Sequence, residues 1–430
     1  MIKRILLIGI ALFSFYGQSG WAKNKDLILD PGRFFKVSSY INILTITTTP
    51  PGKTYSKAGI KVLTPGYTVA NLSPTKDGYY LFSVSDTVPA HLTLLGAPRS
   101  VDIRLCLNGV GSTSGCENSS VTIAKQKYAY VATGFNNTVY KCTANSDGTL
   151  SSCESTPSSG APAWTPESIA FATVSGIQYA YVASWPNGIV YQCSLNSNGS
   201  FNTCTALTPT GTVYTAAAGI TFATINGTQY GYVSDDDAKI FQCSLNSNGT
   251  FNTCNPTPTS GTPTWTPVST TFATVNRTQY AYVASGNGNV YQCSLNTNGT
   301  FNSCSITPAT GAPTWLPKSV TFATFSGNQY AYVTDDNGKV FQCSLKSDGT
   351  FNVCSVTPTS SAPTWNPRAI AFETFGGTPY AYVADYGAGS SEPGNIFQCT
   401  LNATGQFVSC VDTPAFGVPS WGNLWWVTFN

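Results

Sequence analysis

The chain has 430 residues, 21 Lys and Arg against 19 Asp and Glu, a single His, and only 9% charged residues. Without clustered Lys and Arg it excludes nucleic acid as a partner. With His91 the one His, Ser-His-Asp, Cys-His and His-ligated zinc chemistry are excluded from everything downstream of it.

Residues 1–22 read as a secretory signal: Lys3 and Arg4 form the charged start, Ile5 to Phe15 the apolar stretch, and Gly20-Trp21-Ala22 the small-residue cleavage site. That apolar stretch is too short to span a bilayer and no later segment is longer, so no membrane span is expected. The protein is read as exported, to the periplasm or the cell exterior. Beyond the signal the charge is split. Residues 23–127 carry 12 basic and 6 acidic groups, residues 128–430 carry 7 and 13, and this asymmetry predicts two domains.

The first, 23–124, reads as a small β-domain. Phe34–Thr48, Tyr79–Ser85 and Val101–Leu107 alternate as strands, with turns at Pro51-Gly52 and Pro65-Gly66. Its size suits an immunoglobulin-like sandwich, although the Cys–Trp–Cys spacing of antibody domains is missing.

The second, 125–430, is an internal repeat. YAYVA or a close variant begins at Tyr128, Tyr179, Tyr230, Tyr280, Tyr330 and Tyr380, in steps of 51, 51, 50, 50 and 50 residues. Each unit is a succession of short Tyr-, Val-, Phe- and Thr-rich runs broken by Gly, Pro and Asn, four strands in about fifty residues. That is the pattern of a β-propeller blade. The array opens on a hairpin lacking its preceding strand and closes on Leu424–Phe429, a strand lacking its hairpin. Six blades are expected, the C-terminal strand completing the first, or seven if Ser119–Ala124 serves as an extra strand. The fold class is therefore all-β, a small sandwich followed by a propeller of four-stranded blades.

Each repeat carries two Cys flanking a turn: Cys142/Cys153, Cys193/Cys204, Cys243/Cys254, Cys293/Cys304, Cys343/Cys354 and Cys399/Cys410, with Cys106/Cys116 in the first domain. The partners lie equidistant from Asp147-Gly148, Asn198-Gly199 and their equivalents, so a two-residue Asn-Gly hairpin sets them opposite one another within disulfide reach. A three-residue turn would instead oppose Leu195 and Phe201 and send the two Cys to opposite faces. The cysteines decide for the two-residue turn and for seven disulfides, an exported pattern, since this spacing without His resembles no zinc site.

Two features are candidate sites. A Gly-x-Pro-x-Trp-x-Pro loop or a variant of it carries Trp164, Trp265, Trp315, Trp365 and Trp421, with Tyr214 in the remaining copy. Exposed, these rings would stack sugars; buried, they would wedge blades apart, and packing is favoured. The turn after the YAYV strand holds Asp235, Asp236 and Asp237, Asp335 and Asp336, and Asp385. Asp235, Asp236, Asp335 and Asp336 are the weak Ca²⁺ candidates, with Lys239 and Lys339 making solvated turns the simpler reading. Asn198, Asn248 and Asn298 stand in N-x-S/T sequons but are accounted for as turn formers. Glu373 is read as an isolated carboxylate with no catalytic partner.

The unit resembles the lactonase-like, YVTN-type β-propellers. Gly311-Ala-Pro313, Ser319-Val-Thr-Phe-Ala323, Tyr330-Ala-Tyr-Val333, Val340-Phe341 and Ser347-Asp-Gly-Thr350 match that family's loop, strands and turn, and the architecture looks bacterial. The resemblance implies fold, not function. Its members are usually seven-bladed, with His and charged groups near the central channel. Here His is absent from the ring and charged groups at the channel are expected to be scarce. No catalytic residue, cofactor or metal is assigned. The expected role is non-catalytic binding, several equivalent faces contacting a glycan or a cell-surface or protein partner. A lactonase-like enzyme and a passive envelope scaffold are the alternatives.

Overall fold

Runs of β-branched and aromatic residues between Gly, Pro and Asn breaks become strands throughout: among the described residues the computed structural model holds thirty-two of them and no helix. It describes residues 35–40, 43–48, 54–85, 90–95, 100–106, 116–122, 126–134, 136–209, 214–359, 362–387, 393–414 and 421–430. The expected signal sequence and the Pro51-Gly52 turn lie outside them. No helix in the described residues is long and apolar enough to cross a membrane. The chain divides into two compact units, Met1–Gln126 and Lys127–Asn430.

The first unit contains two four-stranded sheets. One orders Phe35–Tyr40, Ile43–Thr48, Ala90–Leu95 and Thr68–Val69; the other orders Tyr80–Ser85, Thr54–Val62, Ser100–Cys106 and Cys116–Thr122. The segment expected as one strand over 34–48 is two, paired antiparallel from Phe35↔Thr48 to Tyr40↔Ile43. Both sheets contribute to one core, with Leu44, Ile46, Ile60, Phe82, Leu92 and Ile103 among its members. Cys116–Thr122 pairs with Ser100–Cys106 and is bound to it by the Cys106–Cys116 disulfide. The segment weighed as a seventh blade is thereby an edge of this unit.

The second unit contains six four-stranded antiparallel sheets. The inner strands are Pro166–Val174, Ala217–Ile225, Pro267–Val275, Pro317–Phe325, Pro367–Phe375 and Leu424–Phe429. The last pairs with Tyr128–Thr133, so the C-terminus completes the sheet the repeat opens with. The second Tyr of each YAYV links every sheet to the next. Tyr130, Tyr181, Tyr232, Tyr282 and Tyr332 donate their hydroxyls to the carbonyls of Gly199, Gly249, Gly299, Gly349 and Gly405. Tyr382 donates to Gly148 of the first sheet and closes the ring. Each of these rings also lies against a Phe of the following sheet, as Tyr232 does on Phe272 at 4.5 Å between centroids. Such pairs add roughly 0.5–1.5 kcal/mol beyond area burial.

The hairpins settle the conflict between Cys and Leu–Phe registers by satisfying both. Cys193 opposes Cys204 and Leu195 opposes Phe201, because a bulge between them absorbs one residue. The turn itself is the three-residue form: Gly199 takes φ +81° and its N–H donates to the Asn196 carbonyl. The two-residue turn is thus corrected. The bulge is held by Ser194, whose hydroxyl accepts from Thr203 N at 3.3 Å, and Ser244, Ser294 and Ser344 repeat the contact.

All fourteen Cys are in the seven expected disulfides, with 4.0–4.1 Å between Cα atoms. In the propeller these are Cys142–Cys153, Cys193–Cys204, Cys243–Cys254, Cys293–Cys304, Cys343–Cys354 and Cys399–Cys410. Five of the six join residues directly opposed in the ladder, including Cys243↔Cys254, Cys343↔Cys354 and Cys399↔Cys410. The opposition expected of Cys142 and Cys153 is corrected. In that hairpin the register shifts at the cysteines themselves, between Lys141↔Glu154 and Thr143↔Ser151, and Ser152 takes φ +48°. The bond forms there across the bulge instead of beside it. Disulfides in this number mark an oxidising, extracytoplasmic environment.

Candidate functional site

The loop tryptophans are packing groups. Trp164, Trp265, Trp315, Trp365 and Trp421 are 1–7% exposed, and Tyr214 fills the sixth place equally buried. Trp164, Trp265 and Trp365 donate their indole N–H to the carbonyls of Asn137, Ala238 and Gly338 in the preceding sheet. Each of the five sits edge-on to a neighbouring aromatic, such as Tyr191 or Phe341. Rings enclosed in this way offer a sugar no face, so the stacking expectation gives way to the wedge.

The acidic turns are divided between two tasks. Asp235 accepts from Thr215 N, Thr215 Oγ1 and Ala216 N at 2.9–3.1 Å, tying the incoming loop to the turn. Asp335 and Asp385 accept likewise from Leu316 N and Asn366 N, both at 2.6 Å, and Ser184 and Ser285 take their place elsewhere. Asp236 and Asp336 serve a different neighbourhood, described below. The Ca²⁺ candidates are therefore not gathered into one site, and no metal-binding group of three or more His, Cys, Asp or Glu occurs among the described residues.

What lies at the axis comes from a position sequence reasoning passed over. Each inner strand starts with a bulge, at Pro166/Ser168 and its equivalents, which displaces one residue from the ladder. Those six residues are Glu167, Ala218, Val268, Lys318, Arg368 and Trp425, all different in repeats otherwise nearly identical. Beside them stand Trp185, Asp236, Gly286, Asp336 and Tyr386, the first residues after the second strand in five of the sheets. Each donates its N–H to the loop carbonyl two residues before the displaced one.

These groups interact across the ring. Asp336 pairs with Lys318 at 3.1 Å and with Arg368 at 2.9 Å. The Arg368 guanidinium lies over Tyr386 at 4.4 Å and Trp425 at 5.0 Å from the ring centroids. Trp425 in turn covers Gly134, where a Cβ would stand 2.3 Å from its indole nitrogen. Glu167 is 8% exposed, and among the described residues it forms no hydrogen bond or ion pair. Burial pushes its carboxyl up to about 8, and Asp236 adds to the rise; Arg368 and Lys318 oppose it. Asp236 is also raised, by burial first, with Lys318 and the neighbouring Trp185 opposing the rise. The expected scarcity of charge at the channel is corrected: five ionisable groups from four sheets meet there. The signal in the sequence was the variable residue after Trp-x-Pro, read as Glu, Val, Lys and Arg in four copies. Glu373, read as isolated, is paired with Lys127.

A carboxyl held protonated by the fold costs stability once pH forces it to ionise. Below the ordinary Glu range both states bind the proton and the term vanishes. Stability then falls as pH rises toward about 8, since the folded state holds a proton the unfolded chain releases. Glu167→Gln should leave stability unchanged near pH 4 and, above the raised value, exceed the parent's by up to about 5 kcal/mol. Urea unfolding of both proteins across that span checks the crossover, and parallel curves would show that Glu167 ionises freely.

No family model matches the chain, and no curated protein matches it significantly. Among solved structures it is similar to a candidate 6-phosphogluconolactonase from Bacteroides uniformis, with 15% identity, 87% of this chain and 99% of that one covered, and a TM-score of 0.45. It is also similar to a protein of unknown function from Bacteroides caccae, at 10% identity, 70% and 98% coverage and TM-score 0.45. A protein from Lactobacillus plantarum matches at 12% identity, 67% and 82% coverage and TM-score 0.44.

Proposed function

We propose that the protein is an exported, non-catalytic binding protein whose propeller, residues 125–430, receives one ligand at the axial cluster. The ligand is a glycan or a group on a cell-surface or protein partner, and residues 23–124 form an Ig-like module ahead of it. One observation carries this reading. Six sheets repeat their Tyr, Cys and turn Gly residues, yet each places a different residue at its inner-strand bulge. Six different side chains at one repeated position suit recognition of an asymmetric ligand. The single cluster replaces the several equivalent sites expected from the repeat.

The test is a glycan and protein array probed with the oxidised full chain, its Trp185→Ala form and its Asp236→Asn form. Binding lost in both variants, with unfolding transitions unchanged, supports the axial site. Binding indifferent to both would move the site elsewhere, and silence on all arrays would favour the passive scaffold. The lactonase-like alternative draws on Glu167, since a carboxyl that keeps its proton near neutrality is suited to general acid work. Lactone hydrolysis that disappears in Glu167→Gln would favour it over binding.

A further inference from the structure

Resting on that reading, we infer that the axial cluster recognises a primary ammonium group flanked by hydroxyls, as on an amino sugar, seated between Glu167, Asp236 and the ring of Trp185.

The charge pairing on the axis gives the sign of the ligand. Both cations of the cluster, Lys318 and Arg368, are held by one carboxylate, Asp336. Among the described residues Glu167 and Asp236 have no ion pair of their own, although Lys318 acts on both carboxyls. The groups left without a counter-ion are therefore acidic. Glu167 is 8% exposed and among the described residues its carboxyl has no hydrogen-bond partner, a cost that a ligand cation recovers. An anionic ligand would have to displace Asp336 from two partners at once.

The neighbouring groups narrow the ligand further. Trp185 is 38% exposed, the most open tryptophan among the described residues, and it stands beside Asp236. An indole next to carboxylates attracts a cation to its face and also stacks a sugar ring. A bare metal ion would leave the indole unused, whereas an ammonium carried on a sugar ring engages the carboxyls with its charge and the indole with its ring face.

The test is calorimetric titration of the oxidised full chain with three probes: a glucosamine oligomer, the same oligomer N-acetylated, and Nα-acetyl-lysine amide. The free-amine sugar should bind, and acetylation, which removes the charge, should weaken it at least about tenfold. Glu167→Gln and Asp236→Asn should each lose about tenfold for the amine probe, and their thermal transitions report that they fold. Equal binding of the two oligomers, or full binding by both variants, overturns the ammonium assignment while leaving the axial site standing. Preference for the lysine probe over the sugar overturns the amino sugar in favour of a peptide side chain. Silence from all three, with array hits that still depend on Trp185 and Asp236, overturns this inference alone. Silence on the arrays as well removes the binding reading with it.

Discussion

Unfolded under reducing conditions and returned to native buffer, the protein should fail to regain its fold, whereas the oxidised chain should refold. Each disulfide joins residues 10 or 11 apart, and closing so short a loop contributes about 2–3 kcal/mol by restricting the unfolded chain. Seven together exceed the roughly 5–15 kcal/mol by which a domain is stable. The effect concentrates in the propeller, where the staple lies directly beside the bulge that reconciles Cys193↔Cys204 with Leu195↔Phe201. Cys243–Cys254, Cys293–Cys304 and Cys343–Cys354 stand in the same place in their own hairpins. Without the covalent bond, the hairpin is free to slip by one residue into the register the Leu–Phe pair alone prefers, and a slip turns the whole outer strand over. Near-ultraviolet circular dichroism and limited proteolysis, with and without reductant, read the outcome. A reduced chain with the same cooperative transition as the oxidised one would show that the staples are dispensable. Replacing only Cys293 and Cys304 by Ser should cost about 2–3 kcal/mol and leave the other sheets formed.

Trp265→Ala should lower stability by about 3–5 kcal/mol and leave ligand binding at the axis intact. The ring is 3% exposed, its N–H donates to the Ala238 carbonyl at 3.0 Å, and it meets Tyr291 edge-on with centroids 5.5 Å apart. Truncation opens a cavity between two sheets and orphans a buried carbonyl, and neither loss is recovered by collapse in a closed ring. Equilibrium urea unfolding measures the cost. A variant as stable as the parent, but deficient in sugar binding, would return these tryptophans to the role of a binding surface.

Much of this molecule was legible without coordinates, because it is written in local periodicity. The fifty-residue repeat, the strand-only composition, the pairing of each Cys with its neighbour across a turn and the completion of the first sheet by Leu424–Phe429 all follow from short-range pattern. Several of these readings still needed correction in detail. Asn198-Gly199 suggested a two-residue turn, but Ser197, Asn198 and Gly199 form a three-residue one, since a bulge one step further on costs less than misplacing either pair. Cys142 and Cys153 are bonded without being ladder partners, because their hairpin places its bulge at the staple. The segment 34–48 alternates like one strand and is a hairpin.

The candidate site was of another kind. Glu167, Asp236, Lys318, Asp336 and Arg368 are scattered over two hundred residues, and each reads locally as a solvated turn charge. Their meeting depends on two things that a linear pattern does not contain. The bulge at the start of each inner strand turns one side chain out of the ladder, and closure of the ring by Tyr382 on Gly148 brings the six displaced residues to a common axis. By itself the sequence determined the repeat, its strands and its staples, since hydrophobic period and cysteine spacing act between near neighbours. Only the tertiary structure decided that the tryptophans are buried and that unlike charges from different sheets share one site, because both depend on how distant repeats are packed around the ring.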